Sequence, residues 1–395
     1  MNDRSIYDLR DQFVAGQLSR RQFLKRSSAI GISAAAASSL LAVVPSFAAT
    51  AKRGGTLRLA LSSGGQSDSL DPTKFLSSAD YARAYSIYSP LVALNRKMQP
   101  IPALAESWEA NAKADEWVFH LRKGVTFNDG KDFTAADVTY SLQRHLREGS
   151  ESPGKPLLEQ VTEMSADGKH TVRMKISAPN ADLPVLFTQP QLIITQEGEE
   201  EFKKPSGTGA FVMKEYQLGI LMLAERNDNF WGESYLDAIE FHTATDTTAR
   251  MNAMMAGEFD IATGVDLKLI DLVDRAPGVE IVASASGQHT NLSMMCDREP
   301  TSNLDLRLAL KYCIPREQII KNAFKGYGMI GNDHQVPPTD PFYCHDIPQR
   351  PYDPDKAKHH LKKAGMEGGS LLLETSDQAV TGSEAIALIY SEGAK

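Results

Sequence analysis

The stretch Trp117-Val118-Phe119-His120-Leu121, followed by Asn128-Asp129-Gly130 and then Thr134 to Leu146, constrains the fold of this chain more than any other. Apolar and polar residues alternate from Trp117 to Leu121, the pattern of a strand with one buried face. Asn-Asp-Gly is a turn signal. Thr134, with Asp137 three residues on, forms a capping box. Val138, Leu142 and Leu146 then recur at four-residue spacing on one helix face. Strand, turn and capped amphipathic helix follow in direct succession, and with strand–helix alternation from about residue 240 onward the pattern is mixed α/β.

The remainder agrees. Gly54 to Leu61 alternates like a strand and runs into a small polar loop, Ser62 to Ser69. Ala79 to Tyr88 reads as a helix that Pro90 ends, Val185 to Thr195 as an apolar segment, and Leu221 to Arg226 as a strand. Asp246 and Thr247 open a Met-rich helix, with Gly257 as its left-handed cap. Phe259 to Ala262 and Val279 to Ala283 read as strands, and Leu267 to Arg275 as a helix. Leu304 to Tyr312 reads as a helix, Pro315 opens the next, and Asp353-Pro354 starts a third with Gly365 as cap. Leu371 to Glu374 is strand-like and Ser383 to Tyr390 helix-like.

The first 48 residues belong to a different kind of sequence. Ser19-Arg20-Arg21-Gln22-Phe23-Leu24-Lys25 precedes a weakly apolar run, Ala29 to Val44, which ends at Pro45. A spanning helix needs about 20 apolar residues, so this run is short for one. Ser46-Phe47-Ala48 places small residues where a signal peptidase reads them. The arginine pair resembles the twin-arginine consensus, so Arg20, Arg21 and Ala48 are expected to direct export of a folded precursor through the Tat translocase. A basic N-terminal helix on the mature protein is the other reading. Beyond residue 48 the chain carries 36 basic and 47 acidic residues, a net charge of −11, which argues against nucleic acid and anionic membranes as partners. Cys296, Cys313 and Cys344 are too few and too scattered for a disulfide framework.

Several segments together resemble the large periplasmic solute-binding proteins of ABC importers, the dipeptide/oligopeptide/nickel family (family 5). They are Pro102 to Glu109 (PALAESWE), Phe119 to Arg144, Gly207 to Phe211 (GTGAF), Arg226 to Gly232 (RNDNFWG), Ala253 to Ala262, Leu306 to Ile320 and Tyr352 to Gly365. Pro315 departs from the family pattern, and family chains continue past the equivalent of Lys395. The resemblance implies an α/β, two-lobed periplasmic binding protein whose second lobe is incomplete. Residues 1–48 would be the signal peptide and 49–285 lobe I, with its core at about 49–90 and 205–285 and an inserted subdomain at about 91–204. Residues 286–395 would be the incomplete lobe II.

It also implies a periplasmic monomer that binds a short peptide or related solute between its lobes and delivers it to ABC permease subunits. Nickel chelates, sugars, opines and haem are other solutes of this family. By resemblance, Ser62, Ser63, Gly64, Gly65 and Gln66 line one side of the cleft; an ordinary solvated turn is the alternative. The crossover Ser284 to Met295 supplies His289 and Asn291, which could equally satisfy hinge backbone. Tyr88 lines the cleft or belongs to the core; Trp108 and Trp231 read as packing.

No cofactor, metal or catalytic residue is expected. Gly326-x-Gly328-x-x-Gly331 lacks the strand–turn–helix context of a dinucleotide site. Ser152-x-x-Lys155 has Pro and Gly inside it and no Lys-Thr-Gly partner. His359-His360 diverge on a helix, and Cys344-His345 lies in a Pro-rich loop. The competing readings are a secreted hydrolase with a peptide-binding cleft and a truncated remnant that binds nothing. Changing Arg20 and Arg21 together to Lys keeps the charge but removes the guanidinium pair. Precursor should then accumulate in the cell, as followed by fractionation and immunoblotting; normal maturation of the double variant would exclude the twin-arginine route.

Overall fold

The computed structural model describes residues 52–95, 98–283, 287–338, 340, 342–375 and 382–395. Arg20, Arg21 and Ala48 lie outside them. Among the described residues the helices of nine residues or more are α1 (Ser78–Ile87), α2 (Ala135–His145), α3 (Thr247–Met255), α4 (Leu304–Tyr312), α5 (Pro354–Lys363) and α6 (Ser383–Gly393). None is long and apolar enough to cross a membrane.

Strand β1 (Thr56–Leu61) lies inside a five-stranded sheet. It pairs in parallel with Ala238–Thr243 on one side and with Ile261–Ala262 on the other. Leu221–Arg226 continues the sheet antiparallel to Ala238–Thr243, and Phe211–Gln217 forms the far edge. Helix α1 covers this sheet through a core of Leu61, Phe75, Ala84, Ile87, Tyr88, Phe211, Met222 and Phe241. A second sheet, antiparallel throughout, has the spatial order Ala105–Ala110, Glu116–Leu121, Thr171–Ile176, Val161–Ala166. Phe119, Leu121, Val172 and Met174 from it meet Val138 and Leu142 of α2. Each such buried side chain contributes roughly 1.5–3 kcal/mol.

Local chemistry sets the helix starts. The Asp137 carboxylate accepts from the Thr134 amide at 2.7 Å and from its hydroxyl at 3.0 Å. Ser77 and Asp80 cap α1 in the same reciprocal way, at 3.0 and 3.1 Å. The two sheets are tied by buried polar contacts. Arg144 makes a bidentate pair with Asp71, at 2.9 and 3.1 Å, and lies over the Phe202 ring. Ser141 Oγ donates to Asp137 O at 2.7 Å within α2 and accepts from the Thr195 amide at 2.9 Å.

Leu304–Tyr312 and Pro354–Lys363 are helices as expected, whereas Arg316–Gln318 makes only one α-turn before a π-helical stretch, Ile319–Ala323. Leu267 to Arg275 is shorter than the pattern suggests, a 3-10 turn at Leu267–Leu269 followed by Ile270–Val273. Val279 to Ala283 and Leu371 to Glu374 are not strands. Their apolar residues lack a neighbouring strand, and Val282 and Leu372 are 81% and 85% exposed. A strand gains its stability from ladder bonds and one buried face, and these segments have neither.

The GTGAF segment has a steric reason for its glycines. A Cβ on Gly207 would stand 1.9 Å from the Ile87 carbonyl oxygen, and one on Gly209 2.6 Å from the Ser86 carbonyl oxygen. Asn227 Nδ2 donates to Gly209 O at 2.8 Å and holds the strand there. Gly207→Ala must push backbone away from the end of α1, which should cost at least about 3 kcal/mol. The urea midpoint reports it; an unchanged midpoint would show that the close approach is absent in solution.

Candidate functional site

The C-terminal ends of β1, Ala238–Thr243 and Ile261–Ala262 share one sheet edge. In open α/β sheets, ligands bind in the crevice outside such strand ends. The loop after β1 is held there from several sides. Ser62 N donates to Thr263 Oγ1 at 2.9 Å, and the Thr263 hydroxyl donates to Ser62 Oγ at 3.1 Å. Ser63 Oγ lies 2.7 Å from Ser78 Oγ and accepts from Ala79 N at 3.2 Å, so it supports the first turn of α1. Gly64 has φ +123°, and a Cβ there would sit 2.9 Å from Asp68 Oδ2 and 3.2 Å from the Thr243 side chain. Only glycine adopts this geometry without strain. Gly65 N donates to Asp68 Oδ1 at 3.0 Å. The hairpin turn at Gly219 presses against the Gly65 backbone, while Gln66 is exposed. Both serine hydroxyls are thus engaged inside the fold. The loop presents main chain instead: the Ser63 and Gly64 amides have no hydrogen-bond partner among the described residues.

A buried charge cluster lies beneath the loop. Arg83 is 2.6 Å from Asp68 and 3.1 Å from Asp80, all three buried. Burial alone would raise the Asp80 carboxyl. Hydrogen bonds from the Ser77, Ser69 and Leu76 amides outweigh it and hold the group below the usual carboxylate range. Asp71 is likewise depressed: burial opposes ionisation, but the Arg144 hydrogen bond and charge prevail. The arginines at the centre of these clusters escaped the sequence reading, although Ser77-x-x-Asp80 is a capping-box signal of the same kind as Thr134-x-x-Asp137.

The other expected residues are scattered. Tyr88 is buried in the core with its hydroxyl donated to Leu70 O at 2.9 Å, so it presents no surface to a solute. His289 and Asn291 are exposed on an irregular segment rather than a strand, and the structure does not bring them to the β1 loop by any hydrogen bond. Their surroundings begin at residue 287, because 284–286 lie outside the described residues. Trp108 packs against the core of the second sheet; so does Trp231, which donates to Ser89 Oγ at 3.3 Å under the Arg122 guanidinium.

The geometry of the Ser-x-x-Lys stretch is structural. Ser152 Oγ sits 2.5 Å from His145 Nδ1, both side chains are buried, and the hydroxyl also accepts from Gly154 N at 3.1 Å. A nucleophile–base pair must reach substrate, and this one is sealed in the core. Among the described residues no group of three or more His, Cys, Asp or Glu is placed to hold a metal ion, and the three cysteines are free thiols.

The sequence profile of the bacterial extracellular solute-binding proteins, family 5 Middle, matches residues 99–394, and the chain belongs to that family. It is 26% identical over 332 residues to di/tripeptide-binding protein 1 of Pseudomonas aeruginosa, covering 76% of this chain and 62% of that protein. It is 28% identical over 308 residues to the glutathione-binding protein GsiB of Salmonella choleraesuis, covering 76% and 60%. Among solved structures it is similar to the periplasmic binding protein DppA of Helicobacter pylori in complex with peptide STSA, with TM-score 0.69 and 26% identity over 86% of this chain and 73% of that one. The mixed α/β fold is that of periplasmic binding proteins of this family. The chain spans about three fifths of the length of the curated relatives it matches.

His145 gives the fold an acid limb. Burial, with the Arg144 charge adding to it, lowers its pKa from 6.5 to about 4. The unfolded chain therefore binds an extra proton between those values. Stability should fall as pH drops from 6.5 towards 4, by up to roughly 3 kcal/mol, and be flat above. Urea midpoints across this range should lose that slope in His145→Gln. The limb from the depressed carboxylates, Asp71, Asp80 and Glu200 among them, at pH below the usual carboxylate range, should remain.

Proposed function

We propose that this chain is the solute-capturing component of an ABC importer that takes short peptides and passes them to membrane permease subunits. The observation that carries the reading is the Ser62–Gln66 loop, a rigidly held main chain whose Ser63 and Gly64 amides have no hydrogen-bond partner among the described residues. Backbone amides recognise peptide carbonyls whatever the side chains, which suits a receptor for a ligand class. Micromolar capture needs about −8 kcal/mol, and a hydrogen bond nets about 1 kcal/mol, so apolar contact must supply much of the rest. Leu76, two residues before Ser78, and Ile220, one residue after Gly219, are 70% and 59% exposed and are suited to that contact.

Family membership supports this reading, and the curated relatives, named for binding di- and tripeptides, dipeptides and glutathione, support peptides as the ligand, whereas similar solved structures also include proteins for nickel and agropinic acid. In the same reading residues 49–285 form lobe I, with an inserted subdomain at about 91–204, and the residues from 286 onward belong to lobe II. The separate sheet formed between Ala105 and Ile176 is consistent with that insertion. The site works as a monomer in the periplasm, reached through the twin-arginine route.

Binding to the native state raises the melting temperature by mass action, with about 2.7 kcal/mol gained at a hundredfold excess over Kd. Dialanine, trialanine and glutathione should each be tested by thermal shift beside a nickel–histidine chelate and a sugar. A shift with the peptides is expected. A shift confined to the chelate or the sugar would redirect the assignment.

A further inference from the structure

Arg250 is buried on α3 and forms no ion pair among the described residues. Apart from a 3.4 Å contact of Nη2 with Thr247 Oγ1, its donors go to main-chain carbonyls. Nε reaches Thr263 O at 2.8 Å, Nη2 reaches Gly264 O at 2.7 Å, and Nη1 reaches Ala244 O at 2.5 Å and Thr245 O at 3.2 Å. These carbonyls belong to two separate segments, the exits of the two strands that flank β1. A buried cation without a carboxylate in direct contact is costly, and burial lowers the Arg250 pKa although the Asp246 charge opposes it. What the cost secures is geometric: the planar fork of a guanidinium spans both exits at once, as a lysine ammonium cannot.

Thr263 carries that constraint onward. Its hydroxyl oxygen accepts from Ser62 N and donates to Ser62 Oγ, and a Cβ on Gly264 would stand 2.9 Å from Ser62 Cβ. Any shift of Thr263–Gly264 is therefore transmitted to Ser62, and the Ser63 and Gly64 amides, without a hydrogen-bond partner among the described residues, follow immediately. Hydrogen bonds weaken steeply with misalignment, so rotation of this short stretch changes what it can hold.

We propose that Arg250 is a positioning residue for the Ser62–Gln66 loop, acting through Thr263 and Gly264; the role in binding rests on the reading of that loop as the solute site. Thr263→Val removes the hydroxyl while keeping the side chain's shape. It should weaken trialanine binding by about fivefold in calorimetry, the value of one hydrogen bond. Hydrogen exchange at the Gly65 amide should quicken, Phe119 in the other sheet should stay protected, and the melting temperature should change little. Thr263→Ser should restore affinity and exchange. Arg250→Lys should quicken exchange at both Ser62 and Gly65, with a larger loss of affinity. Wild-type exchange at Gly65 in both Thr263→Val and Arg250→Lys would overturn the proposal. If the unaltered protein binds no trialanine, the peptide reading fails, and exchange at Ser62 and Gly65 still decides the positioning role.

Discussion

Strand β1 is flanked on both sides by parallel neighbours, and the rest of the structure depends on that pairing. A parallel neighbour cannot come from a tight hairpin; it needs a crossover. Here the partners come from Ala238–Thr243 and Ile261–Ala262, far along the chain. Closing such a distance costs little more than closing a shorter one, because the entropy of loop closure grows only logarithmically. The intervening residues can therefore fold into a sheet with its own core and helix α2 before the chain returns. The same pairing places the loop after β1 at the C-terminal edge, between the exits of its neighbours.

Once that sheet is formed, buried charges and backbone contacts set the relation of its parts. Arg144 with Asp71 spans the two sheets, and Arg83 with Asp68 and Asp80 underlies the loop. Such pairs are weak sources of net stability, because desolvation offsets much of their attraction; losing one partner typically costs about 3–5 kcal/mol. Their value is that few other arrangements satisfy them. Gly207 and Gly209 act similarly, since only backbone without a Cβ can lie so close to Ile87 and Ser86. The proposed site of main-chain amides would need this rigidity, because loop amides left free to rotate would lose ordering entropy on every binding event.

The polar groups near the loop are engaged: Ser63 supports a helix, Asp68 holds a turn and an arginine, and Thr263 holds Ser62. The Ser152–His145 contact has the letters of a reactive pair but lies in the core. Spacing alone cannot distinguish such a contact from an active site, because reactivity depends on access.

Local interactions were legible in the chain by itself. The strand through Phe119, the capping box at Thr134, helix α4 and the glycine-closed helix α3 all follow from side-chain periodicity and caps, which act within a few residues. The motifs around Gly207 and Asn227 could be matched to a family but not explained, since their partners are distant in sequence. Val279 to Ala283 and Leu371 to Glu374 have strand-like composition, yet lack a neighbour to complete a ladder. Tyr88 and Ser63 had the right chemistry for a cleft, and packing turned one into core and the other into a helix support. The residue types and their local elements were determined by the sequence. Which polar groups remain free for a solute was decided by tertiary structure, because a donor's availability depends on what long-range pairing brings against it.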